Sequence, residues 1–132
     1  MYRGSCLCGK VQYEIRGELG PTGFCHCTRC RKANGTAFLA AAQFNPVDFH
    51  LLAGKEVLAD FESSPGVHRV FCGHCGSPLY SQRPGPPEIR RLRIGTLDTP
   101  LPGKAASHIF YADKAEWFDM HDDVPKHLQR PA

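Results

Sequence analysis

The chain has 132 residues, a formal charge of +3 and 24 glycines and prolines. That length suits one domain with one core, small enough to gain from a metal staple, and no run of about 18 apolar residues is present to span a membrane as a helix. The charge counts every cysteine as a neutral thiol. Seven metal-bound thiolates with two divalent ions would cancel it, and the Lys and Arg residues are scattered, so nucleic-acid binding is not expected.

Glycine and proline fall between short apolar runs, which predicts a mainly β, single-domain fold of short antiparallel strands with few short helices. Cys6 and Cys8 come first; in an extended segment residues i and i+2 share a face, so both sulfurs reach one metal while Leu7 faces away. Val11, Tyr13 and Ile15 alternate with polar residues as a half-buried strand does. Cys25-His26-Cys27-Thr28-Arg29-Cys30 follows, and the stretch after Cys30 can form a short helix. Residues 38–44 and 57–61 read as strands, and Val67, Arg69 and Phe71 lead into Cys72. Cys72-Gly73-His74-Cys75-Gly76 reads as a tight knuckle whose glycines relieve crowding while two sulfurs converge. After the turn-rich residues 83–87 a strand resumes over 89–94; residues 112–118, including Trp117, form the second helix candidate, and 124–132 reads as a loosely attached tail.

The seven cysteines thus form two pairs and a triplet. Zinc takes four protein ligands where it serves structure and three where it must also hold a reactant. The distant pairs Cys6, Cys8 and Cys72, Cys75 make one closed Cys₄ site that joins remote parts of the chain. A redox dithiol is the competing reading of Cys72 and Cys75, but such motifs precede a helix, and Gly76-Ser77-Pro78 is poor helix material. Cys25, Cys27 and Cys30 can hold a second zinc, partly occupied at times, with an open position for water or a thiol substrate. Completion by His50, His68, His108, His121 or His127 would instead close that site, and a triplet without metal would be open to oxidation. His26 and His74 lie beside ligands and can support them. Arg29, Arg31 and Lys32 either attract a carboxylated ligand or form a solvated basic turn. No apolar leader with a cleavage site precedes the cysteines, so a reducing, cytoplasmic setting is expected.

Gly4-Ser5-Cys6-Leu7-Cys8-Gly9, Cys25 to Lys32, and Phe71 to Ser77 resemble the glutathione-dependent formaldehyde-activating enzyme family, which also includes centromere protein V. The likeness continues through Gly95-Thr96-Leu97-Asp98, His108-Ile109-Phe110 and the Trp117 region. It implies a β-tent zinc fold with Cys6, Cys8, Cys72 and Cys75 on the structural zinc and Cys25, Cys27 and Cys30 on the catalytic one. It also implies a carbon–sulfur lyase activity that adds glutathione to formaldehyde to give S-hydroxymethylglutathione. The partners expected are therefore a small thiol and a small aldehyde. Two readings of other classes fit the same cysteines: a non-enzymatic zinc module that binds a protein, as centromere protein V suggests, and a redox-responsive protein whose triplet releases zinc on oxidation.

Overall fold

A computed structural model describes residues 1–131. In chain order the strands are β1 (Tyr2–Ser5), β2 (Gln12–Ile15), β3 (Leu19–Cys25), β4 (Leu39–Phe44), β5 (Phe49–Ala53), β6 (Leu58–Ser64), β7 (Val67–Cys72), β8 (Pro78–Arg83), β9 (Ile89–Arg93) and β10 (Ser107–Ile109). The single α-helix among the described residues, α1, is Thr28–Asn34, and four short 3₁₀ turns complete the list of helical elements. The mainly β class expected from the sequence is what the chain adopts. None of these helices is long and apolar enough to cross a membrane.

The chain forms two compact units, one of residues 1–20 and 42–102, the other of residues 21–41 and 103 onward. A single domain was expected because no linker composition is visible; of the three crossings between the units, two lie inside β3 and β4 and the third, between Pro102 and Gly103, lies outside any strand. In the first unit, β1, β2 and β5 make an antiparallel sheet in which Tyr2 faces Ile15 and Ile15 faces Phe49. Strands β6 to β9 form an antiparallel meander with Val70 opposite Tyr80 and Tyr80 opposite Leu92.

The alternation of Val11, Tyr13 and Ile15 has the consequence read from it: all three are fully buried, packed with Phe44, Val70, Leu79, Tyr80 and Leu92. Full burial of each such side chain stabilises by about 1.5–3 kcal/mol. Tyr13 keeps its hydroxyl satisfied by a 2.6 Å hydrogen bond with Thr96. Its ring also explains Gly4, where any Cβ would collide with it. Glu14, on the same strand, is buried as a carboxylate because Arg16 at 2.9 Å and the cross-strand Arg3 at 3.0 Å both hold it, Arg16 first in lowering its pKa.

In the second unit, β10 pairs in parallel with β3, Ile109 opposite Cys25 and His108 opposite Phe24. Cys25, Cys30, Leu39 and Ala41 form a small core with Ile109 and Phe110 against it. Two expectations change here. Residues 112–118 do not form a helix: Phe110 takes a left-handed backbone (φ 51°), only a 3₁₀ turn over Tyr111–Asp113 follows, and Lys114 Nζ donates to the carbonyls of Ala115 and Phe118. The tail expected to lie loose is hydrogen-bonded instead, His108 N–H to Pro125 O at 2.8 Å, His127 N–H to His108 O at 2.9 Å and Phe110 N–H to Gln129 O at 2.9 Å. Ala132, the last residue of that tail, lies outside the described residues.

Candidate functional site

The first cysteine group is assembled by two turns. β1 ends at Ser5, so Cys6 and Cys8 sit not on an extended strand but on a turn in which Gly9 N–H reaches Cys6 O at 3.1 Å. Gly9 takes φ 80°, which favours glycine. The second turn leaves β7 at Cys72, with Gly76 N–H on Cys72 O at 2.7 Å and Gly76 at φ 82°. Leu7 is exposed, as expected, and its N–H donates to Ser77 Oγ at 2.9 Å, tying the two turns together.

Four sulfurs at about 2.3 Å from a tetrahedral zinc lie about 3.8 Å from one another. Here Cys6 and Cys8 Sγ are 3.5 Å apart, Cys8 and Cys72 Sγ 3.9 Å, and all four ligand atoms lie within 4.8 Å of one another. Val11 N–H points at Cys6 Sγ from 3.2 Å, and Ser77, by its hydroxyl and then its backbone N–H, pulls the Cys75 thiol down to about 5. Donors aimed at sulfur favour the thiolate form that a metal needs. The residues fit a zinc ion.

The triplet is built at a strand-to-helix junction in the second unit. Cys25 closes β3 and is buried; Cys27 is the N-cap of α1, its sulfur accepting from Cys30 N–H at 3.3 Å; Cys30 lies in the first turn and is also buried. The helix begins before Cys30, earlier than the sequence suggested, and ends where Gly35 (φ 66°) caps it by donating to Arg31 O at 2.7 Å. The three sulfurs lie within 4.8 Å of one another, and among the described residues no histidine or carboxylate joins them. Proton sharing with Cys27 and Cys30, together with burial, pushes the Cys25 thiol well above its ordinary value. Three thiolates in so small a space need a cation to neutralise them, which is the chemistry of a zinc-binding set.

His26, between two of these cysteines, turns into the protein and is 1% exposed. Its Nε2 lies 2.8 Å from His108 Nδ1, and His108 Nε2 lies 3.0 Å from Asp122 Oδ2. Lys126, at 2.9 Å, and then His108 hold Asp122 down to about 2, so the carboxylate only accepts. His108 therefore donates from Nε2 and accepts at Nδ1, His26 donates from Nε2, and His26 Nδ1 is left as a buried lone pair without a partner. Burial first, then the electrostatic influence of His108, Lys114 and Arg31, lowers the His26 pKa to about 4. This line of three residues was not read from the sequence: the partners are 82 and 14 positions apart, and no local pattern announces the pairing. His74 is exposed, and His68 pairs instead with Asp60 and Glu62. Of the three basic residues near the triplet, Arg29 and Lys32 are exposed, and Arg31 is half-buried with its Nε shielded and unpartnered.

Comparison with known proteins identifies the family of the chain. Residues 1–113 match the family profile described as glutathione-dependent formaldehyde-activating enzyme. An uncharacterized lyase of Schizosaccharomyces pombe is 30% identical over 79 residues, 60% of this chain and 56% of that protein. Putative glutathione-dependent formaldehyde-activating enzymes of Aspergillus flavus and Aspergillus oryzae are each 25% identical over 114 residues, 85% of this chain and 53% of theirs. The chain therefore spans about half the length of the curated relatives it matches. A crystal structure of a Rhodobacter sphaeroides protein superposes with a TM-score of 0.64 at 26% identity, covering 78% of this chain and 96% of that one. With the family profile matching from residue 1 to residue 113, across both cysteine groups, the chain belongs to the glutathione-dependent formaldehyde-activating enzyme family.

Proposed function

We propose that this chain is a carbon–sulfur lyase that adds glutathione or a similar small thiol to formaldehyde or another small aldehyde. Cys6, Cys8, Cys72 and Cys75 hold one zinc for structure, and Cys25, Cys27 and Cys30 hold a second for chemistry. The observation that carries this reading is the triplet: three sulfurs within 4.8 Å, drawn from six consecutive residues, with no fourth ligand of the chain among those described. A zinc ion bound there supplies a positive charge and Lewis acidity that favour the thiolate form of a thiol.

The chain's own residues position and shield. Cys25 and Cys30 are buried in the small core, which limits water around the reacting sulfur. The Asp122–His108–His26 line fixes the ring of His26 with its proton on Nε2, and burial keeps that ring neutral at pH 7, so the segment between Cys25 and Cys27 is held without a further cation. In the overall reaction the thiol sulfur forms a bond to the carbonyl carbon, the C=O π pair moves to oxygen, and the proton lost by the thiol ends on that oxygen. Seven free thiols suit a reducing compartment such as the cytoplasm.

Two metal sites per chain are expected by elemental analysis of zinc-loaded protein, one for each cysteine group. That protein should speed the exchange of ¹³C-formaldehyde with its glutathione adduct, followed by NMR. Four protein ligands on the second ion, or no acceleration with any small thiol, would sink the reading.

A further inference from the structure

The family profile ends at residue 113, so the segment after it lies outside the matched span. That segment is nevertheless tied to the triplet through β10. Strand β10 has three residues, and on one side it pairs with β3, Ile109 opposite Cys25. On its other side Lys126 makes a parallel bridge with His108, flanked by His108 N–H on Pro125 O at 2.8 Å and His127 N–H on His108 O at 2.9 Å. The pairing runs on past the strand, where Tyr111 N–H donates to His127 O at 3.0 Å. The last link is His26: its N–H donates to Ile109 O at 3.0 Å, and its ring centre lies 5.2 Å from that of Phe38 and 5.1 Å from that of Tyr111. A strap of residues 122–129, a three-residue strand and the segment from Cys25 to Cys27 are thus joined in series.

Asp122 gives the strap a chemical direction. Its Oδ1 accepts from Lys126 Nζ at 2.9 Å and from Val124 N–H at 3.1 Å, while its Oδ2 faces His108 Nε2 at 3.0 Å. The two oxygens are therefore not equivalent: one is held by a cation and a backbone donor, the other by the imidazole alone. Because His108 donates to Oδ2 from Nε2, its Nδ1 is left to accept, His26 donates from Nε2, and the pattern ends on His26 Nδ1 as a lone pair. His26 is 1% exposed and this Nδ1 has no partner, so a residue of the strap decides whether a buried atom between two cysteines is an acceptor or a donor. The choice matters. As with buried main-chain groups, an N–H without an acceptor is rarer than an under-used acceptor, and leaving one unsatisfied is costly.

We infer that Asp122 is a positioning residue for the triplet, and that the strap it belongs to holds Cys25, His26 and Cys27 in the arrangement that retains a metal. It acts by keeping a proton off His26 Nδ1; the ring is neutral in either tautomer, so no net charge changes. The inference rests on the metal reading of the triplet given above. Asp122→Asn probes the direction of the line. The amide oxygen stays with Lys126 and Val124, which both donate, so the NH₂ group takes the place of Oδ2 and donates to His108. His108 then accepts at Nε2 and donates from Nδ1, and His26 accepts at Nε2 and carries its proton on Nδ1. That buried N–H must find an acceptor, and the cysteine segment shifts to supply one.

The experiment uses the zinc-loaded full chain. Long-range ¹H–¹⁵N spectra of the imidazoles at neutral pH read the tautomers, and zinc release to a colorimetric chelator reads the metal, with Cys27→Ser identifying the phase that belongs to the triplet. Asp122→Asn should move the His26 proton from Nε2 to Nδ1 and speed release from the triplet about tenfold, as loss of a hydrogen-bonded support behind a metal site does. Release from the four-cysteine group should not change. Asp122→Glu, which keeps an acceptor, should leave the proton on Nε2 and recover most of the slow release. Faster release with the His26 proton still on Nε2 would show a merely structural role and overturn the inference. So would a moved proton with release within about twofold of the wild type, or a wild type that already carries its proton on His26 Nδ1, a result that needs no variant. The metal reading is tested apart from this: a wild type that takes up one zinc with the tautomers as expected sinks the metal at the triplet and leaves the control of His26 by Asp122 standing.

Discussion

Cys72→Ser should be far more damaging than Cys27→Ser. Cys72 is fully buried, and its sulfur lies 3.9 Å from that of Cys8, 64 positions away. Cys25 and Cys30, by contrast, are five positions apart. If each group is closed by a metal, the entropy removed from the unfolded chain grows by about 0.6 kcal/mol per doubling of loop length. Passing from 5 to 64 positions is about 3.7 doublings, so the long closure is worth about 2 kcal/mol more than the short one. For a chain of this size that is about 8 °C of melting temperature at two-state unfolding. The assay is thermal melting of both variants, prepared with zinc, watched by near-ultraviolet circular dichroism and by zinc release to a colorimetric chelator. Cys72→Ser should lose the first zinc together with tertiary structure, whereas Cys27→Ser should lose the second zinc and thiol binding with the fold retained. Equal losses of melting temperature would refute the division into a folding site and a chemical one.

Gly4→Ala should destabilise by about 1–3 kcal/mol, the usual penalty for overpacking a core, because the new methyl group meets the Tyr13 ring; urea unfolding measures it, and a neutral result would mean that Tyr13 can move. The Asp122 carboxyl should titrate near pH 2 in ¹³C NMR, and Lys126→Ala should raise it toward the usual carboxylate range. Since its folded pKa is lowered, its contribution to stability is complete above about pH 4 and is lost as pH falls toward 2. At neutral pH, ¹⁵N spectra should show His26 and His108 both protonated on Nε2 alone; a proton on His26 Nδ1 would break the hydrogen-bonded line from Asp122.

The grouping of the cysteines was legible in the chain because their spacing is local. The triplet occupies six consecutive residues and the knuckle five, so their sulfurs converge almost regardless of what surrounds them. Strands with clear alternation, such as that of Tyr13 and Ile15, were legible for the same reason. Strands β3 and β8 were not, since β3 contains Pro21 and two glycines and β8 opens on Pro78, a position that strand geometry tolerates only at an end. The turn after Phe110 looked helical because residues 112–118 lack proline, but hydrogen bonds from Lys114 and the paired tail decide its conformation. Likewise nothing near His108 names His26 or Asp122 as its partners; the pairing arises only when β10 is laid beside β3.

The second unit is made of two stretches separated by about half the chain, residues 21–41 and 103 onward. On the ribosome this sets an order of events. The triplet emerges long before the knuckle that completes the other site, and at about 5–20 residues per second the 77 residues from Cys30 to Ser107 take several seconds to follow. Throughout that interval Cys25, Cys27 and Cys30 lack the strand that will pair beside them, and Arg31 lacks Trp117. If the triplet holds a metal, its delivery is therefore open to the nascent chain, whereas the surface grooves that Trp117 walls beside Arg31 form only once that tryptophan has been made.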